Sequence, residues 1–436
     1  MHRVTVPLAA LLSTTAGGCI IDLQLAGVQA TSEGGATTVD DSYVMPPAAP
    51  GSCDAGLLRR KQTLASHATG TDNRQALVPF TLRGGWLAES TGKADDRRDL
   101  VWTMPCGPRC GEGGQLNAEP GGDPYLADRG GGSVGLGTPG RGLQLLTCDL
   151  DGDGVDEVVV ADPSEDDSVE VGQSGLTENV VSIWWHGDIS NYSPSEVTGL
   201  AGDTSVGRVL GCGDLDGDGQ DDLVYGTDQG ILGLRGGDDT LPLLLDLPLD
   251  GPVEALAVGD ADGDGHADLA YAVGGRLFRW DGVREHDEGL GNVETLTALG
   301  DLDLDGKDEL AVGRADRLEV RKGGDGWDVE GWYRKGRWEN AVGVGDLDGN
   351  GFGELAIATA GPPDNAGRVE VYPVLSTGVS VYESYACTGM PGEELGMGFA
   401  NLGDLDGDGL DELVVSRRRR DRPVDFEIYA AGPQGR

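Results

Sequence analysis

The chain has 436 residues, with 75 glycines and 21 prolines against 5 phenylalanines, and a formal net charge of -43. That length admits two or three ordinary domains or one large repeat architecture, and so turn-rich a composition favours many short strands over long helices. The charge excludes binding to nucleic acid or an anionic membrane through a basic face and makes a hard cation the natural partner.

The first residues, MHRVTVPLAALLSTTAGGC, read as a secretory signal peptide over 1–18: Arg3 is a short basic start, and an apolar stretch runs from Val4 to Leu12. No later segment approaches the roughly 18 apolar residues a membrane-spanning helix needs. The run Ala16-Gly17-Gly18-Cys19 resembles a bacterial lipobox, with Ala16 where leucine is usual. The expectation is an exported protein lipidated at Cys19 at a bacterial outer membrane or cell surface, touching membrane only through that anchor. A periplasmic or secreted protein with an unmodified Cys19 is the alternative. Residues 19–75, rich in Gly, Ala, Ser, Thr and Pro, read as a flexible tether.

Six further cysteines, Cys53, Cys106, Cys110, Cys148, Cys212 and Cys387, form an even set in an exported chain, which predicts disulfides; the spacing leaves all 15 pairings open. Cys106 and Cys110 are not in a CxxC spacing and have no histidine beside them, which argues against zinc.

From about residue 76 onward short apolar runs alternate with Gly- and Asp-rich turns, and no helical period persists; this is an all-β region. One unit recurs six times: CDLDGDGVDEVVV, GDLDGDGQDDLVYG, GDADGDGHADLAYA, GDLDLDGKDELAVG, GDLDGNGFGELAIA and GDLDGDGLDELVVS. First aspartates at 149, 214, 260, 301, 346 and 404 give a repeat of propeller-blade length, with four strands per unit the simplest fit. Six repeats over 131–436 set a minimum of six blades. LVPFTLRGGWLAESTGKADDRRDLVWTMP, within 76–130, keeps the rhythm of acids followed by a strand and is a candidate degenerate blade. Seven blades are therefore favoured over six, with an N-terminal strand completing the last one and removing its open edge.

Each loop reads D-x-D-x-[DN]-G-x-x-[DE]-apolar. Two like charges about 5 Å apart repel by roughly 3 kcal/mol at an effective dielectric of 20, so such crowding requires compensation. Oxygens at positions one, three and five converge if the chain wraps tightly, the glycine at position six allows the wrap, position seven offers its carbonyl and the acid at position nine closes the shell. Six flexible oxygen ligands suit calcium better than magnesium. The candidate ligands, loop by loop, are Asp149, Asp151, Asp153, Val155 and Glu157; Asp214, Asp216, Asp218, Gln220 and Asp222; and Asp260, Asp262, Asp264, His266 and Asp268. The second half of the chain adds Asp301, Asp303, Asp305, Lys307 and Glu309; Asp346, Asp348, Asn350, Phe352 and Glu354; and Asp404, Asp406, Asp408, Leu410 and Glu412. Up to six calcium ions are expected, the fifth site being weakest because Asn350 and Gly353 leave it three acids. An EF-hand would need a glutamate at position twelve, where this chain has Val160, Tyr225, Tyr271, Val312, Ile357 and Val415.

These loops resemble FG-GAP, or VCBS, repeats, the calcium-loop blades of the integrin α-subunit propeller and of many exported bacterial proteins. The resemblance covers roughly residues 130–436; SVGLGTPGRGLQLL and SVGRVLGCG only echo the Phe-Gly element that names the family. It implies that each loop joins the first and second strands of a blade and that all loops lie on one rim.

Arg417 to Arg420 read as a hairpin turn in the last blade, Trp332 and Trp338 as residues buried between sheets rather than a glycan platform, and 162–180 and 376–396 as the longest insertions. The five histidines, His2, His67, His186, His266 and His286, make no HExxH, and no GxSxG occurs. The sequence therefore predicts a monomeric, non-catalytic calcium-binding scaffold for an unidentified protein or carbohydrate ligand. A propeller hydrolase or lyase, and a structural part of an envelope assembly, are the alternatives.

Overall fold

The structure, a computed structural model, describes residues 144–161, 180–187, 194–200, 206–327, 329–335, 340–359, 366–376, 378–380, 385–419 and 425–431, with positions 189 and 338. Towards the N-terminus it describes the strand segments 37–38, 52–53, 58–65, 79–82, 99–104, 115–119 and 132–135. The leader, Cys19, Cys106 and Cys110 lie outside these residues, as do the side chain of Trp332 and those of Arg418 to Arg420.

The described strands form a seven-bladed β-propeller. Pro79–Leu82, Asp99–Met104, Gln115–Glu119 and Gly132–Gly135 make the first blade, and each of the six repeats makes one more. The first strands of the blades touch one another in a closed ring, that of the seventh (Glu393–Gly403) meeting Pro79–Leu82. The second strand of each repeat is covered on both faces by other strands, which is why EVVVA, DLVYG and ELAIAT are apolar without alternation after their first residue and buried throughout. Seven apolar clusters fill the seven seams between blades. The closing seam packs Leu100 and Trp102 of the first blade on Leu402, Val414, Phe426 and Ile428 of the seventh, with Trp102 edge-on to Phe426 at 5.0 Å.

The last blade is completed from the N-terminal side: Leu58–Ala65 runs antiparallel to Asp425–Ala431, outside the three strands of the sixth repeat. The expectation of a tether reaching residue 75 is corrected here. Tether-like composition surrounds an eight-residue segment whose backbone covers an otherwise open sheet edge. Ser52–Cys53 likewise pairs with Tyr385–Thr388, and Thr37–Thr38 pairs parallel to Val329–Lys335.

Three other expectations change. Gly132–Gly135 closes the first blade, so the repeats begin at Gln144 rather than at 131. Tyr385–Thr388 is the fourth strand of the sixth blade, so 376–396 is not an insertion throughout; the added piece is the hairpin Val374–Leu375 to Gly378–Val379. The strand Glu412–Arg419 runs through three of the four arginines read as a turn, because buried Glu427 pairs with Arg417 at 2.6 Å. Trp184 is buried in the seam between the first two blades. A disulfide joins Cys148 to Cys212 at the ends of neighbouring first strands. Cys387 is also disulfide-bonded, and the residue across from it in register is Cys53.

Removing residues 1–66 should open the seventh blade, whereas removing residues 1–36 should not. Seven register pairs hold the closing strand, and at about 0.5 kcal/mol or more each the loss is several kcal/mol. Thermal melts and size-exclusion profiles of the two truncations check this: the longer deletion should melt lower and aggregate, and equal behaviour would mean the strand closes nothing.

Candidate functional site

Each acidic loop joins the first and second strands of its blade, and loops one to six fall in blades two to seven. Their backbone is nearly superposable. The position-six glycines, Gly154, Gly219, Gly265, Gly306, Gly351 and Gly409, have φ between 86 and 88°, and their N–H groups donate to Oδ2 of the position-one aspartate at 2.8–3.1 Å in all six. In loops two, three, five and six the position-four N–H also donates to Oδ1 of that aspartate. The first aspartate thus folds the loop around its own carboxylate.

The ninth residue anchors the loop from below. Glu157, Asp222, Asp268, Glu309, Glu354 and Glu412 each begin a second strand, are buried, and accept the N–H of position two through one carboxylate oxygen at 2.6–3.1 Å. Position two is itself a plug: Leu150, Leu215, Ala261, Leu302, Leu347 and Leu405 are buried. Burial pushes the position-nine carboxyls up, to about 8 for Glu157, Glu309 and Glu354, about 7 for Glu412 and about 6 for Asp268; the N–H donors oppose this only in part.

Oxygens of positions one, three and five lie within 4.8 Å of one another in loops one and two, and those of positions one, three and nine in loops three and four. Asp216 Oδ1, Asp303 Oδ1, Glu309 Oε1 and Glu412 Oε1 are buried and accept no hydrogen bond. Oxygens left in this way, converging from three or four carboxylates with no apolar wall between them, fit a small hard cation. The position-seven residues turn their N–H groups onto position five, as Val155 does on Asp153 (2.8 Å), Gln220 on Asp218, His266 on Asp264, Phe352 on Asn350 and Leu410 on Asp408. In the fifth loop Asn350 keeps this geometry and places Nδ2 3.4 Å from Glu354 Oε1.

The loops are joined to each other. Asp221, Ala267, Asp308 and Asp411 donate their N–H to the carbonyl of the first aspartate of the preceding loop at 2.7–3.1 Å, and Gly353 donates to Leu302 at 3.2 Å. Asp221 and Asp308 reciprocate, their carboxylates accepting the N–H groups of Asp149 and Asp260. His266 lies over Gly217, whose added Cβ would sit 2.4 Å from the imidazole. All six loops therefore line one rim. The repeat pattern left position eight blank, although an aspartate recurs there in four copies.

Side chains far along the sequence also enter. His186, in the left-handed conformation after the third strand of its blade, sits with Nδ1 3.4 Å from Asp153 and 3.7 Å from Asp151, and its N–H donates to Glu157. Arg235 pairs with Asp216, Arg279 with Asp268 at 3.4 Å and Lys322 with Asp303. No motif signals these contacts, because the partners lie 11 to 35 residues apart and meet only across the sheet.

Among known proteins, no family model and no curated protein matches the chain. Two solved structures of BBS1N in complex with ARL6DN, one soaked with mercury and one with lead, are similar to it with a TM-score of 0.51 and 12% identity, over 87% of this chain and 98% of theirs. That likeness shows the fold, a β-propeller, and no more.

A carboxyl raised by burial makes the folded chain hold a proton that the unfolded chain has already released, so stability falls as pH rises between the two values. In excess chelator the melting midpoint should therefore drop between pH 4.5 and about 8, and Glu412→Gln should flatten part of that slope. A midpoint constant over this range would show that the position-nine carboxyls are not buried as described.

Proposed function

We propose that the protein is an exported, calcium-loaded β-propeller that serves as a rigid, non-catalytic scaffold for binding another macromolecule. The observation that carries the reading is the set of six alike carboxylate cradles on one rim, with buried carboxylate oxygens that accept no hydrogen bond in loops two, four and six. Calcium supplies the positive charge that these oxygens need. Asp149, Asp214, Asp260, Asp346 and Asp404 would hold it together with the carboxylates at positions three and nine of their loops. This arrangement agrees with the resemblance to FG-GAP repeats, whose loops bind calcium.

The carboxyls of Glu157, Asp268, Glu309, Glu354 and Glu412, which burial lifts to about 6 or above, are all ninth residues of rim loops. The shifts of these five acids are thus explained by their place in the cradles. The neighbouring propeller BBS1N is solved in complex with ARL6DN, which supports a protein as the ligand class here. In a scaffold of this kind the ions are structural: they hold the rim rigid, and the partner binds the opposite face or the insertions. An anchor at Cys19 would hold the scaffold at an outer membrane or cell surface.

The test is a pair of melts of the whole chain, in excess calcium and in excess chelator, with bound calcium counted in parallel. One site at 100 times its dissociation constant stabilises by about 2.7 kcal/mol, so several sites should raise the midpoint by many degrees. Extracellular modules of this kind bind at about 0.1 to 1 mM. The pair Asp404→Asn and Asp406→Asn should remove one ion and leave the fold intact. No shift and no bound calcium would end the calcium reading.

A further inference from the structure

Loop four combines three linked features that no other rim loop has together. Position four is Leu304, a non-glycine at φ 57°, where the other five loops have glycine at 74–77°. Its N–H does not donate to Asp301, whereas the position-four N–H does so in loops two, three, five and six. Asp303 at position three makes no turn bond to position five, whereas Asp151, Asp262, Asp348 and Asp406 all accept the position-five N–H at 3.0–3.2 Å. Asp303 is instead held by Lys322 Nζ, delivered from the third strand of the same blade.

The Lys322 side chain is half-buried. Its stem and the cradle acids Asp303 and Glu309 line one cavity with Leu302, Val374 and Gly378. Those last two residues belong to the hairpin from the next blade, and a Cβ at Gly378 would lie 3.2 Å from Lys322 Cε. Asp303 is 3% exposed in its side chain, so the ion pair has little solvent to screen it. Asp303 Oδ1 and Glu309 Oε1, both buried and without donors, face the same cluster as Asp301. Loop six is the contrast: Asp406 keeps its turn bond and Glu412 Oε1 remains without a donor.

We propose that the Lys322 ammonium is a tethered cation that fills loop four, so this loop takes no calcium at concentrations that fill loop six. The inference rests on the calcium reading above. A resident ammonium on Asp303 Oδ2 and a divalent ion drawn to its Oδ1 would repel each other across one buried carboxylate, so the two compete for the loop. The lysine, held in place by its own blade and by the neighbouring hairpin, has no association entropy to lose. Loop four then carries a positive charge of its own, and its part of the rim stays ordered when calcium is withdrawn.

Native mass spectrometry of the whole chain under titrated calcium tests this with Lys322→Met, Lys322→Gln and Lys322→Met combined with Glu309→Gln. The expected result is one more bound calcium in each single variant than in the wild type, lost again in the double variant. In chelator the single variants should melt lower than the wild type, and calcium should restore them. Variants that fold only in calcium would support the proposal equally, because the ion then replaces the lysine. An unchanged count in folded single variants, an extra ion that survives Glu309→Gln, or failure to fold in either condition would overturn it. A wild type that binds calcium beside unchanged variants overturns this inference alone. A wild type that binds none beside variants that bind one overturns the calcium reading of the other loops while sparing this one, and no binding in any protein overturns both.

Discussion

The bond from the position-two N–H to the position-nine carboxylate is the interaction on which the rim depends. It ties the top of the loop to the first residue of the second strand, buries the plug at position two and fixes one carboxylate oxygen. In loops four and six the other oxygen, of Glu309 and of Glu412, is left without a donor, whereas in the remaining loops it accepts from His186, Gly236, Arg279 or Asn350. A buried anion without a partner costs several kcal/mol, and in every loop the crowded carboxylates repel one another, so each loop requires a proton, a cationic side chain or an ion. Six such loops on one ring set the electrostatic problem of the whole molecule.

Ring closure is the second constraint. Blades pack only against neighbours, so the apolar seams become a continuous core only when the seventh blade meets the first. Trp102 against Phe426 and the strand Leu58–Ala65 along Asp425–Ala431 accomplish this. On the rim, hydrogen bonds from position eight to the preceding loop repeat the connectivity of the seams. A loop is thus supported from below by its own blade and from the side by the next, and the rim is a belt rather than six separate turns.

Within that belt the loops divide by what the third strand brings to them. Lys322 and Arg235 reach the position-three aspartate, Arg279 reaches position nine, and His186 lies beside Asp151 and Asp153. Where lysine or arginine grips position three, the turn bond from that aspartate to position five is absent. The same nine-residue pattern therefore yields loops of different electrostatic character.

The sequence determined the repeat, the acidic loops and the apolar second strands, because each is a local pattern: DxDxDG needs only neighbouring residues to fold on itself, and a strand buried on both faces must be apolar along its length. It also pointed to seven blades, through the acid-then-strand rhythm of 76–105, and to an N-terminal strand closing the last blade. Tertiary structure decided which N-terminal segment that is, since Leu58–Ala65 (LRRKQTLA) has no alternation of apolar and polar residues to mark it as a strand and gains its role only from the open edge beside Asp425–Ala431. It alone decided the pairing of Cys148 with Cys212, the belt through position eight and the arrival of Lys322 at Asp303. Each of these joins residues that the chain separates and the packed sheets bring within bonding distance, and no local pattern records such a distance.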